Sequence, residues 1–179
     1  MFKFDFSQEN IYTKMRHDLD NDCDWLFVRN LNPDTVELNL LDKNEIKIIE
    51  YNENYLEDVK DLLVELEEYI ISIDKDNLDQ LHPEYREKMA ILDLEEVNNY
   101  NGKCYLAIEN NKAIGLIMGC IPPYDEYDYL DYKCPKEGEI TELVVTSKIR
   151  SKGVGQALMN KMEEYFKSVG CEYILVDVF

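Results

Sequence analysis

The chain has 179 residues, enough for one domain with a single core, and carries 38 Asp and Glu against 19 Lys and Arg, a formal net charge of −19. That balance argues against a nucleic-acid-binding face, which must be basic, and against docking on an anionic membrane; it suits cationic partners or substrates. Five scattered cysteines (Cys23, Cys104, Cys120, Cys134 and Cys171) without a CxxC pair, and only two histidines, His17 and His82, predict free thiols and no metal site. The N-terminal MFKFDF has no signal-peptide core, and the longest apolar run, near Ile114 to Ile121, is too short to cross a bilayer. The sequence thus predicts a soluble, cytoplasmic protein.

Residues 1–43 read as an N-terminal extension. Phe2, Phe4 and Phe6 alternate with polar residues as in a strand, and Ile11, Met15 and Leu19 make a thin helical stripe. Trp25 to Val28, the Asn32-Pro33-Asp34 turn and alternating Val36, Leu38 and Leu40 predict a hairpin. Residues 44–179 form the main domain. It opens with a strand over Glu45 to Tyr51, then a helix with a capping box at Asn54 and Glu57 and an apolar stripe including Leu56, Val59, Leu63, Leu66 and Ile70. His82-Pro83 opens a second helix, with Tyr85, Met89 and Leu92 expected to face inward and His82 read as a loop or cap residue. Strands over Lys103 to Glu109 and Ala113 to Ile121 are joined by Asn110-Asn111, a tight-turn pair, and Pro122-Pro123 ends the second.

The connection that follows interleaves Tyr124, Tyr127, Tyr129 and Tyr132 with Asp125, Glu126, Asp128 and Asp131. Aromatic faces and carboxylates together attract organic cations, so Tyr124 and Tyr127 are candidate substrate contacts. A solvated acidic loop is the other reading of the same residues.

From Gly138 to Phe179 the pattern is strand, glycine-rich turn, amphipathic helix, strand. Ile140, Leu143, Val144 and Val145 form a short apolar run. A basic turn (Lys148, Arg150, Lys152) and Gly153-Val154-Gly155 follow it. Ala157, Leu158, Met162, Tyr165, Phe166 and Val169 then recur at helical steps, with Gly170 as the stop. A strand, a crossover helix and a further strand imply a parallel pair. N–H groups at a helix N-terminus bind anions, and glycines there leave room for a phosphate against the backbone. No Gly-Lys-Ser/Thr follows and no GxGxxG precedes the helix, so this is not a nucleotide loop of either common kind.

Arg150-Ser151-Lys152-Gly153-Val154-Gly155 instead resembles the Gln/Arg-x-x-Gly-x-Gly/Ala motif of the GNAT acyltransferases (GCN5-related N-acetyltransferases), and Glu-Leu-Val-Val before it resembles that family's fourth strand. The likeness covers about three quarters of the chain. It implies an α/β fold of the α+β mixed-sheet kind: a central, mostly antiparallel twisted sheet, flanked by helices, with its fourth and fifth strands parallel and splayed. Acetyl-CoA would lie in the splay, with backbone groups of Leu143 and Val145 along the pantetheine arm. Arg150, Ser151, Lys152, Gly153, Val154, Gly155 and Gln156 would wrap the pyrophosphate.

The reaction implied is direct attack of an amine, on a small molecule or a peptide, upon the thioester. It needs a base, and the resemblance offers Glu142 and Glu139. Three apart, they would point to opposite faces of a regular strand, though the family's usual bulge there changes that geometry. The family continues beyond its fifth strand with a helix bearing a tyrosine near the sulfur and two more strands. The chain ends at Phe179, so none of these is expected, and the last strand would be an exposed edge. The N-terminal segment, with Tyr12 and the hairpin around Asn32-Pro33, could supply what is missing in a rearranged or strand-exchanged assembly, such as a homodimer; a plain N-terminal extension is the other reading. An acyl-CoA-binding or protein-interaction module without catalysis is the alternative function.

Overall fold

The computed structural model describes residues 25–30, 46–149 and 152–178. Among these residues six strands are assigned: β1 (Trp25–Asn30), β2 (Ile46–Glu50), β3 (Lys103–Glu109), β4 (Lys112–Cys120), β5 (Glu137–Val145) and β6 (Tyr173–Val178). The helices are α1 (Leu56–Ile73), α2 (Tyr85–Asn99), the single turn α3 (Asp128–Asp131) and α4 (Val154–Ser168). They build one mixed sheet in the order β1-β6-β5-β4-β3-β2, antiparallel except for the β5–β6 pair. This is the mixed α/β sheet with one parallel pair that the sequence predicts.

Each boundary has a local cause. Asn110 and Asn111 sit at φ 51° and 63°, so the β3–β4 hairpin closes through two consecutive left-handed residues, which matches the twist of its strands. Gly170 at φ 81° ends α4, with its N–H on the Lys167 carbonyl at 3.1 Å and the Cys171 N–H on that of Phe166 at 2.9 Å. The cap of α1 differs from expectation. A 3-10 turn, Glu53–Tyr55, precedes the helix, and Asn52 caps it by accepting from the Asn54 N–H at 3.2 Å. Glu57 is drawn off by stronger, charged partners: Lys60 Nζ at 2.8 Å and Arg86 at 3.0 Å. Through Lys60 to Glu87 at 2.6 Å and Arg86 to Asp61 at 2.8 Å, the same group of charges clamps α1 to α2.

The sheet divides the core. On one face α1 and α2 bury Val59, Leu62, Leu63, Ala90 and Val97 against Leu106, Leu116, Met118 and Val144. On the other, α4 lays Val154, Leu158, Met162 and Phe166 over Ala107, Ile117, Ile140 and Ile174. Gly138 is where that helix comes closest, since a Cβ there would lie 2.5 Å from the Phe166 ring. The inner face of α2 is only in part the one the sequence pattern favours. Tyr85 packs half-buried against the core and Met89 is half-buried, but Leu92 is 57 % exposed, and the buried positions are Ala90, Asp93 and Val97. Apolar spacing on this helix is weak, and packing against the sheet selected a face that includes a carboxylate.

β1 contains the Trp25 to Val28 arm expected of a hairpin, and it pairs antiparallel with the whole of β6, from Trp25 opposite Val178 to Asn30 opposite Tyr173. The last strand is therefore covered along the side that the sequence reading left open. The strand and helix expected before residue 20, and the Val36 to Leu40 arm of the hairpin, lie outside the described residues.

Candidate active site

Two irregularities in β5 make the site. The first is a gap. Only Glu137 to Ile140 pair with β6, from Tyr173 to Val176, while β6 runs on to Val178 against β1. Beyond Ile140 the two parallel strands part. The Thr146 N–H donates to the Ile114 carbonyl at 2.9 Å, on the β4 side. By the two-residue alternation of a strand, the N–H and C=O groups of Val145 and Leu143 then point to the opposite side, the side of β6, at positions past Val178, its last described residue. That is where the resemblance places the pantetheine arm.

The second is a bulge. Met118 pairs with Glu142 but Gly119 pairs with Ile140, so Thr141 is an extra residue on β5. Regular alternation would put Glu139 and Glu142 on opposite faces. With Thr141 inserted, Glu142 lies across from Met118 and Glu139 across from Cys120, and both carboxylates share the face that carries α1 and α2. The bulge thus offers both candidate bases to one side of the sheet.

At the end of β5 a short 3-10 turn, Ser147–Ile149, leads into α4, and the Glu65 carboxylate of α1 holds its first N–H, on Ser147, at 2.6 Å. Gly153 caps α4 at φ 78°, a left-handed conformation that a side chain resists. A Cβ at Gly155 would meet only Val145 Cγ2, at 3.8 Å. The fold itself does not require glycine at Gly155; what its absent side chain leaves is room beside the first turn of α4. Lys148 and Lys152 are exposed at this turn, and Val154 is buried in the core. The Gln156 side-chain amide lies along the helix and donates to Asn160 at 2.8 Å. Arg150 and Ser151 lie outside the described residues. Open space, a left-handed glycine and a helix N-terminus flanked by lysines fit a polyphosphate.

The electrostatics centre on Glu142. Burial pushes its carboxyl up to about 8, and the negative charges of Asp93, Glu67 and Glu96 add to the effect. Asp93, the inward carboxylate of α2, is 7 % exposed and is pushed up to about 6, first by burial and then by Glu96. Asp93 ionises first, and its charge then helps to keep the proton on Glu142. Tyr85 lies at the same place, its hydroxyl raised by burial and by Glu67, Glu142 and Asp93. Among the described residues two buried side-chain oxygens lack a hydrogen-bond partner, Asp93 Oδ2 and Thr141 Oγ1, and the second belongs to the bulge itself.

The tyrosine-rich loop lies toward the start of β5, on the side of Glu139, with Tyr124 hydrogen-bonded to Glu137. Tyr124 donates to the Pro135 carbonyl at 2.9 Å and packs against Tyr129 and Tyr132 at centroid distances of 6.1 and 5.9 Å. Tyr127 is 79 % exposed. Asp125 accepts from the N–H groups of Tyr127 and Asp128, and Asp128 from that of Asp125, so two of the loop's carboxylates serve its own backbone. The loop enters β5 at Glu137, about 16 Å along the strand from Glu142 at the usual rise of ~3.3 Å per residue. None of the charges acting on Glu142 comes from it. Sequence reasoning singled out Glu142 and missed Asp93; a charged residue in phase with Ala90 and Val97 on α2 was the available signal.

Residues 66–179 match the family model described as Acetyltransferase (GNAT) family. Among solved structures, an acetyltransferase of the GNAT family from Staphylococcus aureus Mu50 is 23 % identical, covering 73 % of this chain and 72 % of that one, with a TM-score of 0.51. A GCN5-related N-acetyltransferase from Ralstonia eutropha JMP134 is 17 % identical over 73 % of this chain and 82 % of its own, with a TM-score of 0.55. A Clostridium acetobutylicum protein described as a predicted acetyltransferase with acetyl-CoA is 14 % identical over 73 % of this chain and 79 % of its own, at 0.53. Likeness at these identities is a likeness of fold. A search of curated proteins finds no match. No helix among the described residues is long and apolar enough to cross a membrane.

Proposed function

The chain belongs to the acetyltransferase (GNAT) family, an acyltransferase family, and from that membership we propose that it transfers an acetyl group from acetyl-CoA to a primary amine on a cationic acceptor. The observation that carries the reading is the position of Glu142. The bulge at Thr141 turns a half-buried carboxylate to the face that carries α2, next to the point where pairing between β5 and β6 ends. An amine acceptor is an ammonium ion near neutral pH and cannot attack until it loses a proton. A carboxyl raised to about 8 takes that proton far more readily than an ordinary one. Gly153, Gly155 and the first turn of α4 would hold the pyrophosphate, and the gap facing Leu143 would take the pantetheine arm. Acetyl-CoA would supply the acetyl group there: its C–S bond would break as the C–N bond forms, and CoA would leave as the thiol with the proton that the acylated nitrogen gives up.

Glu142 then has two tasks. Once ionised, it holds the ammonium beside Asp93, Glu67 and Glu96, the negative charges that act on it among the described residues. As a base it accepts the proton, leaving a neutral amine whose lone pair is available. Glu139 is the second candidate, on the same face and nearer the loop.

The experiment is a thermal-shift titration with acetyl-CoA, coupled to an assay of free CoA release with a panel of amines. We expect acetyl-CoA to raise the melting temperature, because it binds the folded chain alone. Gly153→Glu should abolish that rise by placing bulk and negative charge at the phosphate turn. An undiminished shift in this variant would remove the assigned cofactor site.

A further inference from the structure

Asp93 is not accounted for by proton abstraction, which needs one carboxylate. It is 7 % exposed, on the inner face of α2 between Ala90 and Val97, and its Oδ2 has no hydrogen-bond partner. A buried polar atom without a partner costs free energy, and an unpartnered carboxylate more, so a chain that keeps one in its core gains where something pairs with it.

Its surroundings say what that would be. Glu142 lies near it on β5 and Glu96 on the next turn of α2, while Glu67 of α1 acts on Glu142 and accepts from the Tyr85 hydroxyl at 3.4 Å. On the sheet side lie the buried thiols of Cys104, raised by burial and then by Asp93, and Cys120, raised by burial and then by Glu96 and Glu139. Among the described residues the charges acting on Glu142 are negative, and so is the one acting on Asp93. The described cations of α1 and α2, Lys60, Arg86 and Lys88, are committed to Glu57, Asp61, Glu84 and Glu87. The acidic groups come from three elements and do not converge: among the described residues no group of three could hold a metal ion. Carboxylates spread along a site suit a linear cation better than a single point charge.

We propose that Asp93 anchors a second, non-reacting ammonium of the acceptor, which makes the acceptor a linear diamine or a longer polyamine. This rests on the site proposed above and adds the class of molecule it takes. With one ammonium on Asp93, the other lies toward Glu142. Its positive charge offsets the negative field that holds the proton on Glu142, so the carboxylate needed for catalysis forms as the substrate binds. An acceptor with a single amine has no group to satisfy Asp93.

The test is isothermal titration calorimetry of the full chain with 1,3-diaminopropane, 1,4-diaminobutane and 1,6-diaminohexane, each against the amino alcohol in which a hydroxyl replaces one amine. CoA release is followed in parallel with acetyl-CoA present. We expect at least one diamine to bind tenfold or more tightly than its amino alcohol in the wild type. In Asp93→Asn that ratio should fall to near one. Equal affinity of every diamine and its amino alcohol in the wild type overturns the proposal without recourse to any variant. A ratio that survives in Asp93→Asn overturns the role of Asp93. Diamine selectivity without CoA release would support the anchor and count against the transferase reading, so the two fail separately.

Discussion

Two acidic regions of this protein are built from the same residue types and differ in what their charges do. The loop from Tyr124 to Tyr132 sets four tyrosines among four carboxylates, and the α2–β5 site sets Tyr85 among Glu67, Asp93, Glu96 and Glu142. In the loop, Asp125 and Asp128 cap nearby N–H groups, Tyr127 and Tyr129 are 79 % and 64 % exposed, and water screens the charges. In the site, burial lifts Glu142 to about 8 and Asp93 to about 6. Like charges a few ångströms apart matter little in water and much in a protein interior, so composition alone ranks the two regions equally and burial separates them.

The largest expected effect tests the buried member. Glu142→Gln should lower kcat/KM by roughly 10²-fold or more, the usual contribution of a general base, while acetyl-CoA still raises the melting temperature. In the wild type kcat/KM should climb with pH through about 8, the value of Glu142 in the free protein. The variant should lose that limb and recover only where the amine deprotonates by itself. Should Glu139→Gln carry the larger loss, Glu139 is the base and the contrast moves along β5 toward the loop.

A smaller effect is expected in stability. Both shifted carboxyls hold protons in the folded chain that they release in the unfolded one. Folded protein therefore binds more protons, between 3.8 and about 6 for Asp93 and between 4.5 and about 8 for Glu142, and stability falls as pH rises through those windows. Melting temperature should decline from pH 6 to 8 in the wild type and decline less in Glu142→Gln. An unchanged slope in that variant would mean that Glu142 is not the group held protonated.

The smallest effect belongs to the loop. Glu126→Gln with Asp131→Asn removes two exposed loop charges without touching the Asp125 and Asp128 caps. We expect KM for a diamine to change by less than about threefold, the scale of screened surface charge, and the pH slope of the melting temperature to stay as in the wild type. A rise in KM beyond that of Asp93→Asn would make the loop, with Tyr124 and Tyr127, the cation-selecting surface and reverse the comparison.

Most of the fold was legible in the residues, because its elements depend on short-range rules. Helical spacing in α1 and α4, the Asn110-Asn111 turn and the Gly170 stop each follow from the conformations those residues tolerate. The glycine turn before α4 was legible for the same reason, and with it the family. What the sequence could not decide depends on contacts distant in the chain. One extra residue at Thr141 turns Glu142 to the face it shares with Glu139, and a bulge leaves no trace in apolar periodicity when neighbouring positions are all partly buried. The rotation of α2 that buries Asp93 and exposes Leu92 was set by packing against the sheet, since a helix with a weak apolar stripe has no strong preference of its own. The pairing of β1 with β6 joins strands more than 140 positions apart. A carboxylate's proton affinity is not a property of its residue type but of the dielectric and the charges around it, and these exist only once the chain has folded.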